Sequence, residues 1–498
     1  MQRSPLVTGP LRSTLRALAL ACAAVLAAPA VAQAPVPAAS PCQERVNDDG
    51  TAALPPRLAG LRYECLRLPG DGSVLVGQAG PPGAPWVVLV HGLGQGAHRD
   101  WATVVGALTQ RFQVATVDLP GFGASPPPGQ AYDVNHLATV LARVVDRLQE
   151  RQDRQAPNPR VHVVGHSLGA ALSLAFAHRF ADRVDRLVLV DAAGILLKPA
   201  YVRAMARQRL PQLGLAPLDR LLRAAESRVN DLSSFLLLGR DDRYDFLPWL
   251  ARNPDVRQAL LGGRVQVDAA IGLVEHDFSA AIRETRAPTT LIWGRDDRIA
   301  PLRTGQLLAA RLPQARLQVM DNAGHTPMHD RPAEFNALLL AALAGPAPQR
   351  APEAAMPTAS QGDVVCRDQS EAFYSGRFDS LTLERCGRVG IERAQIGQLV
   401  VSESTVTLTD SSITSEEVAI VALDSDITAT HVQISGRVAI RTDNSVFDLA
   451  GVRLQAREQG VEVQGSRPSR LFFSVSDWQA SDYRGGAHFL WPRPGDRR

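Results

Sequence analysis

Between residues 61 and 320, eight short apolar runs alternate with longer segments of helical spacing, and that alternation restricts this part of the chain to a layered α/β fold. The runs are LRYECLRL (61–68), SVLVGQA (73–79), WVVLVHG (86–92), FQVATVD (112–118), VHVVGHS (161–167), RLVLVDAA (186–193), TTLIWG (289–294) and ARLQVM (315–320). Most are apolar at successive positions, as strands buried on both faces of a parallel sheet require. Between them, 134–148 and 168–180 repeat apolar residues at helical intervals. The rhythm breaks once, over 196–286, where Leu, Arg and Ala recur with several prolines and no strand-like run. That insertion predicts a helical cap on a doubly wound domain spanning 60–344.

Past the stretch GPAPQRAPEAAMPTASQG (345–362), which has little to pack and reads as a linker, the texture changes. Short β-prone runs rich in Ser, Thr and Asp start at Ser404, Ser425 and Ser445, 21 and 20 residues apart. A period near twenty with several short strands suits one coil of a right-handed parallel β-helix, because a coil buries its inward Val, Ile and Leu only by stacking on the next. The expected repeat domain covers 363–482, and 483–498 is left as a tail. A β-sandwich with evenly spaced strands is the alternative.

With 45% hydrophobic and 21% charged residues, the 498-residue chain can fill one large core and a smaller one. The net charge of +3, from 53 basic against 50 acidic residues, gives no overall field for a polyanion, so no nucleic-acid partner is expected. Arg3, Arg12 and Arg16 flank an apolar run over 15–31 that ends in Ala30-Val31-Ala32. This predicts a signal peptide over 1–32, cleaved before Gln33, with an N-terminal extension over 33–59. Pro29 interrupts the run, which is short of the roughly 20 residues of a spanning helix, so the mature chain is expected to lack a transmembrane segment. Lipidation at Cys22 is the alternative anchor. Cys42, Cys65, Cys366 and Cys386 then remain, and pairing Cys42 with Cys65 and Cys366 with Cys386 closes the shortest loops of three connectivities. Two disulfides fit export to the periplasm or beyond.

The chemistry is carried by Gly165-His166-Ser167-Leu168-Gly169, which lies between an apolar strand and a helical run. Flanking glycines permit a sharp turn that holds the Ser167 hydroxyl clear of the sheet. At this point the sequence resembles the α/β-hydrolase superfamily over residues 60–344. The resemblance implies a triad in the order Ser, Asp, His. Its acid is Asp297 in Gly294-Arg295-Asp296-Asp297-Arg298-Ile299-Ala300-Pro301, and its histidine is His325 in Asp321-Asn-Ala-Gly-His-Thr-Pro. Asp296 reads as a solvated turn residue, and Asp191, after RLVLV, is the rival acid. His91-Gly92-Leu93-Gly94 is similar to the family's oxyanion loop, which assigns the oxyanion donors to the N–H groups of Leu93 and Leu168. His91 is expected to bridge backbone, Asp118 to shape the turn before Gly121 and Gly123, and His329 to belong to the helix after the active-site loop.

A serine nucleophile excludes the aspartate-using branches of the superfamily. It implies hydrolysis of a carboxylic ester, from a small-molecule or lipid substrate, with no cofactor and no metal. Carbon–carbon hydrolysis, perhydrolysis and thioester cleavage use the same triad and stay open. A surface-binding protein working through its β-helix is the reading from another class. Residues 363–482 carry 11 arginines against 18 acidic residues, net −7, so cell-surface or polymer contact there is not expected to involve an anionic polymer. Because every chemical residue precedes the linker, the two halves are expected to have separate cores and to move relative to each other.

Overall fold

A computed structural model describes Cys42 and residues 58–94, 96–127, 132–150, 160–196, 265–348, 359–465, 467 and 469–492. The expected signal peptide, most of the N-terminal extension, residues 197–264 of the cap and most of the linker lie outside the described residues.

All eight apolar runs form strands of one sheet, in the order β1-β2-β4-β3-β5-β6-β7-β8. β1 (Arg62–Leu68), β2 (Gly72–Ala79) and β4 (Gln113–Val117) pair antiparallel in that sequence, whereas β3 (Trp86–Val90), β5 (Val161–His166), β6 (Val184–Val190), β7 (Thr289–Gly294) and β8 (Ala315–Met320) continue from β4 in parallel. Strands β3, β5 and β7 are buried at every position, which is why their sequences show no alternation. Helices α1 (Val134–Gln149) and α2 (Leu168–Arg179) pack with the sheet around one apolar core. α1 starts at Asp133, whose side chain accepts the Asn135 N–H and so caps one orphan donor of its first turn. Of the cap, α3 (Val265–Glu275) and α4 (Ser279–Glu284) are described, both helical as expected. The sheet is completed by α5 (Leu302–Arg311) and α6 (Pro332–Ala344).

The second half is a stack of parallel coils, not a sandwich. β12 (Thr405–Thr409), β15 (Asp426–Thr430), β17 (Val446–Ala450) and β19 (Arg470–Gln479) pair parallel in register, so that Val406, Ile427, Phe447 and Leu471 lie one above the next and are all buried. The repeated serine has a physical cause. Arg385, Glu403, Asp424 and Asn444 turn a corner in the left-handed region, with φ between 47° and 51°. Each is followed by a residue whose N–H bonds the serine one coil on: Cys386 to Ser404 (2.8 Å), Ser404 to Ser425 (3.2 Å), Ser425 to Ser445 (3.1 Å) and Ser445 to Ser469 (3.0 Å). Ser404, Ser425 and Ser445 donate in turn to the carbonyls of Ser402, Leu423 and Asp443. These hydroxyls are buried and satisfied on both sides, so the ladder sets the corner height of successive coils.

Both shortest-loop disulfides form, Cys42 to Cys65 and Cys366 to Cys386. The second ties β9 (Asp363–Arg367) to the end of the following strand β10 (Glu371–Glu384). One boundary needs correction. The segment read as a tail from 483 contains β20 (Arg484–Trp491), which pairs antiparallel with β19, and its Ala487 and Trp491 are buried in the β-helix core.

The β-helix has an apolar core of its own, as expected of separate cores, and it also touches the first half. Ala450 and Val475 of the β-helix belong to the same apolar cluster as Leu307 of α5. Gly451 lies so close to Leu307 that a Cβ there would stand 2.2 Å from its methyl carbon. Around this contact Arg303 forks onto Asp448 with contacts of 2.5 and 3.2 Å and donates to the Thr430 hydroxyl at 3.0 Å, while Arg311 donates to the Gly451 carbonyl at 2.5 Å. The halves thus share a packed, bidentate contact that the linker's composition did not reveal. Arg303 and Asp448 are part-buried and fork-paired, so Arg303→Ala is expected to lower the unfolding free energy by about 1.5–3 kcal/mol, read from the denaturant midpoint. The exposed Arg385 on Asp368 is the control, and Arg385→Ala is expected to shift that midpoint far less.

Candidate active site

Ser167 sits between β5 and α2 with φ 54° and ψ −117°, a conformation that L residues rarely adopt. It is held there by its N–H on the Val190 carbonyl (2.9 Å) and by close passage of neighbouring backbone. A Cβ at Gly165 would stand 2.3 Å from the Gly169 carbonyl oxygen, so the sharp turn demands glycine. A Cβ at Gly92 would stand 2.9 Å from His166 Nδ1 and 3.2 Å from the Ser167 Cβ. The loop after β3 therefore rests against the serine itself.

The three residues named from their separate motifs meet here. The Asp297 Oδ2 lies 2.8 Å from His325 Nδ1, and His325 Nε2 lies 2.9 Å from the Ser167 Oγ. A carboxylate only accepts, so Nδ1 carries the imidazole proton and Nε2 is left to accept from the serine hydroxyl. Asp297 is buried and its other oxygen accepts the N–H groups of Ile299 (2.7 Å) and Ala300 (2.9 Å). These bonds fix the carboxylate before the imidazole meets it. Asp296 is exposed in the same turn and His329 is exposed on a short helical turn (Pro327–Asp330), as expected of both. Asp191 is buried and its Oδ1 accepts the Gly294 N–H at 3.0 Å, whereas the carboxylate on His325 is that of Asp297.

Leu168 is the first residue of α2, where backbone N–H groups lack intrahelical acceptors and the helix end carries partial positive charge. Leu93 follows Gly92 in the loop against Ser167. His91 bridges backbone as expected: its Nε2 accepts from the Leu119 N–H at 3.0 Å and its Nδ1 donates to the Gly92 carbonyl at 2.6 Å. The Asp118 carboxylate takes the His98 and Ala124 N–H groups at 2.9 and 3.1 Å, shaping the turn after β4.

Two further residues support the site and were not singled out from sequence. His166 donates Nε2–H to the His325 carbonyl (2.7 Å), tying the nucleophile turn to the histidine loop. Its Nδ1 lies 3.5 Å from Asp100, which accepts the Gly92 N–H at 2.9 Å. Burial pushes the Asp100 carboxyl up, but the His166 imidazole beside it and the Gly92 N–H outweigh it and hold it below the usual range. Asp100 lies eight residues after Gly92 in a short 3-10 helix (Ala97–Trp101) without a motif of its own, so nothing local marks it.

Residues 85–332 match the α/β hydrolase fold family. An enzyme of Cupriavidus pinatubonensis, named as a 2-hydroxy-6-oxononadienedioate/2-hydroxy-6-oxononatrienedioate hydrolase, is 30% identical over 280 residues, 52% of this chain and 86% of that one. The chain belongs to the α/β-hydrolase family. An uncharacterised protein of Mycobacterium tuberculosis strain H37Rv is 30% identical over 266 residues, 50% of this chain and 73% of its own. The pimeloyl-[acyl-carrier protein] methyl ester esterase of Aeromonas hydrophila is 29% identical over 263 residues, 50% of this chain and 92% of the esterase. The β-helix lies outside the residues of this α/β hydrolase that match the family. Among its described residues no helix is long and apolar enough to cross a membrane.

Proposed function

We propose that this α/β hydrolase is an exported serine hydrolase that cleaves a carboxylic ester of a small molecule or lipid through an acyl-enzyme. The observation that carries the reading is the unbroken hydrogen-bonded chain from Asp297 through His325 to Ser167. As the Ser167 Oγ attacks the carbonyl carbon, His325 Nε2 takes the hydroxyl proton and then delivers it to the departing alkoxide. Asp297 keeps the imidazole in the required tautomer and stabilises its cation. The N–H groups of Leu93 and Leu168 receive the oxyanion, which a water-excluded site rewards by several kcal/mol. Water, activated by the same histidine, then releases the acid. The methyl ester esterase among the relatives supports ester cleavage; the two disulfides and the apolar, Arg-flanked N-terminal segment support export.

Carbon–carbon bond hydrolysis is the second reading, favoured by the name of the Cupriavidus relative. The test combines labelling with turnover. A fluorophosphonate is expected to modify Ser167, mapped by peptide mass spectrometry, and short acyl p-nitrophenyl esters are expected to be turned over faster than a 2-hydroxy-6-oxodienedioate. A labelled enzyme that cleaves only the latter makes the second reading the right one, and absence of labelling removes both.

A further inference from the structure

Behind Asp297 lies a second carboxyl that the reaction does not use. Asp191 follows β6 with its side chain wholly buried and its backbone at φ 45°, a conformation costly for a side-chain-bearing residue. Its Oδ1 accepts the Gly294 N–H, but its Oδ2 is buried with no hydrogen-bond partner among the described residues. Both carboxyls stand on the same turn: the Gly294 N–H donates to Asp191 Oδ1 at 3.0 Å, the Gly294 carbonyl accepts the Asp297 N–H at 3.3 Å, and the Asp297 carboxyl is the charge nearest this side chain. Two ionised carboxylates cannot satisfy each other in a buried site, since both only accept and like charges repel there.

We infer that Asp191 carries a proton in the working enzyme and donates its carboxylic O–H to Asp297, acting as a positioning residue behind His325. The hydrogen-bond count says which of the pair holds the proton. Among the described residues, Asp297 receives the Ile299 and Ala300 N–H groups and the His325 Nδ1–H, whereas Asp191 receives the Gly294 N–H alone. Charge is stabilised where donors converge, so it rests on Asp297. Burial first, and then the charge of Asp297, push the Asp191 carboxyl well above its usual range; the bond to Asp297 and the charge of Asp330 push the same way, and the Gly294 N–H opposes them. Asp330, on the turn after His325, is itself engaged by the Gly324 N–H at 2.8 Å. The orphaned oxygen is thereby satisfied as a donor. One net charge, not two, stands behind His325, and Asp297 is fixed from a side that the imidazole does not reach. The assignment rests on Asp297 being the triad acid; the proton on Asp191 is tested without that premise.

Asp191→Asn keeps the shape, offers an amide N–H to Asp297 and an oxygen to Gly294, and cannot ionise. Asp191→Gly removes the donor while tolerating the positive φ. In the full-length enzyme, Asp191→Gly is expected to lower kcat about ten- to a hundredfold, the size of a lost hydrogen bond to a charged group, and Asp191→Asn to restore most of that loss. A second measurement needs no substrate. A group whose folded pKa is raised contributes stability that is complete below its unfolded pKa and is lost as pH rises towards the folded one. The folded-to-unfolded ratio of Asp191→Asn relative to wild type is therefore expected to grow about tenfold per pH unit above about pH 4. A ratio that stays flat from about pH 4 to about pH 7 shows an ionised Asp191 and overturns the inference, leaving the triad reading standing. An Asp191→Asn enzyme as impaired as Asp191→Gly overturns the positioning role.

Discussion

Ser167→Ala is expected to lower kcat on short acyl p-nitrophenyl esters by about a millionfold, the loss seen when the nucleophile of such a triad is removed alone. The magnitude follows from the geometry. With no Oγ at 2.9 Å, His325 has no hydroxyl to deprotonate, and water must reach the carbonyl without a covalent intermediate. What survives is substrate binding and the oxyanion donors. The fold should survive too, because the turn at φ 54° is held by the Ser167 N–H and by close contacts through Gly165 and Gly92, none of which needs the hydroxyl. Thermal unfolding close to wild type, together with lost turnover and lost fluorophosphonate labelling, is the expected pattern. A variant that retains more than about a hundredth of the activity would place the nucleophile elsewhere.

How much of this was legible in the sequence depended on whether the determining contacts were local. The strand runs were readable because burial on both faces leaves an uninterrupted apolar run, as in Trp86–Val90. The elbow was readable because its glycines, its strand and its helix are contiguous, and Asp297 and His325 because each sits in a turn with its own pattern. The β-helix showed its period through Ser404, Ser425 and Ser445, whose hydroxyls bond the coil before. What escaped were contacts between distant residues with no repeating mark. Arg303 meets Asp448 across 145 positions, and each looks like an ordinary surface charge in its own segment. Two glycines and a short apolar end give Arg484–Trp491 no period, yet pairing with β19 makes it a strand. In sequence Asp191 looks like a competitor for the acid's role, because it too follows an apolar strand. Its chemistry depends on Asp297 approaching it in space, which neither residue's neighbours in sequence reveal.

That distinction sets the outcome for the acid itself. Asp297→Asn is expected to lower kcat by about ten-thousandfold while leaving KM close to wild type. An amide at this position would present either an oxygen or an NH2 to His325. The Ile299 and Ala300 N–H groups, at 2.7 and 2.9 Å from one oxygen, will claim the amide oxygen and turn the NH2 towards the imidazole. His325 Nδ1 must then accept, so its proton moves to Nε2, the atom that has to take the proton from Ser167. The base is thus present, correctly placed and in the wrong tautomer. Raising the pH cannot restore it, because the tautomer is set by the amide and not by titration. A rate that stays ten-thousandfold down across the alkaline limb, with fluorophosphonate labelling slowed in parallel, is the expected result. If Asp191→Asn produced that loss and Asp297→Asn did not, the acid would be Asp191, and the contacts of Asp297 with His325 would be structural only.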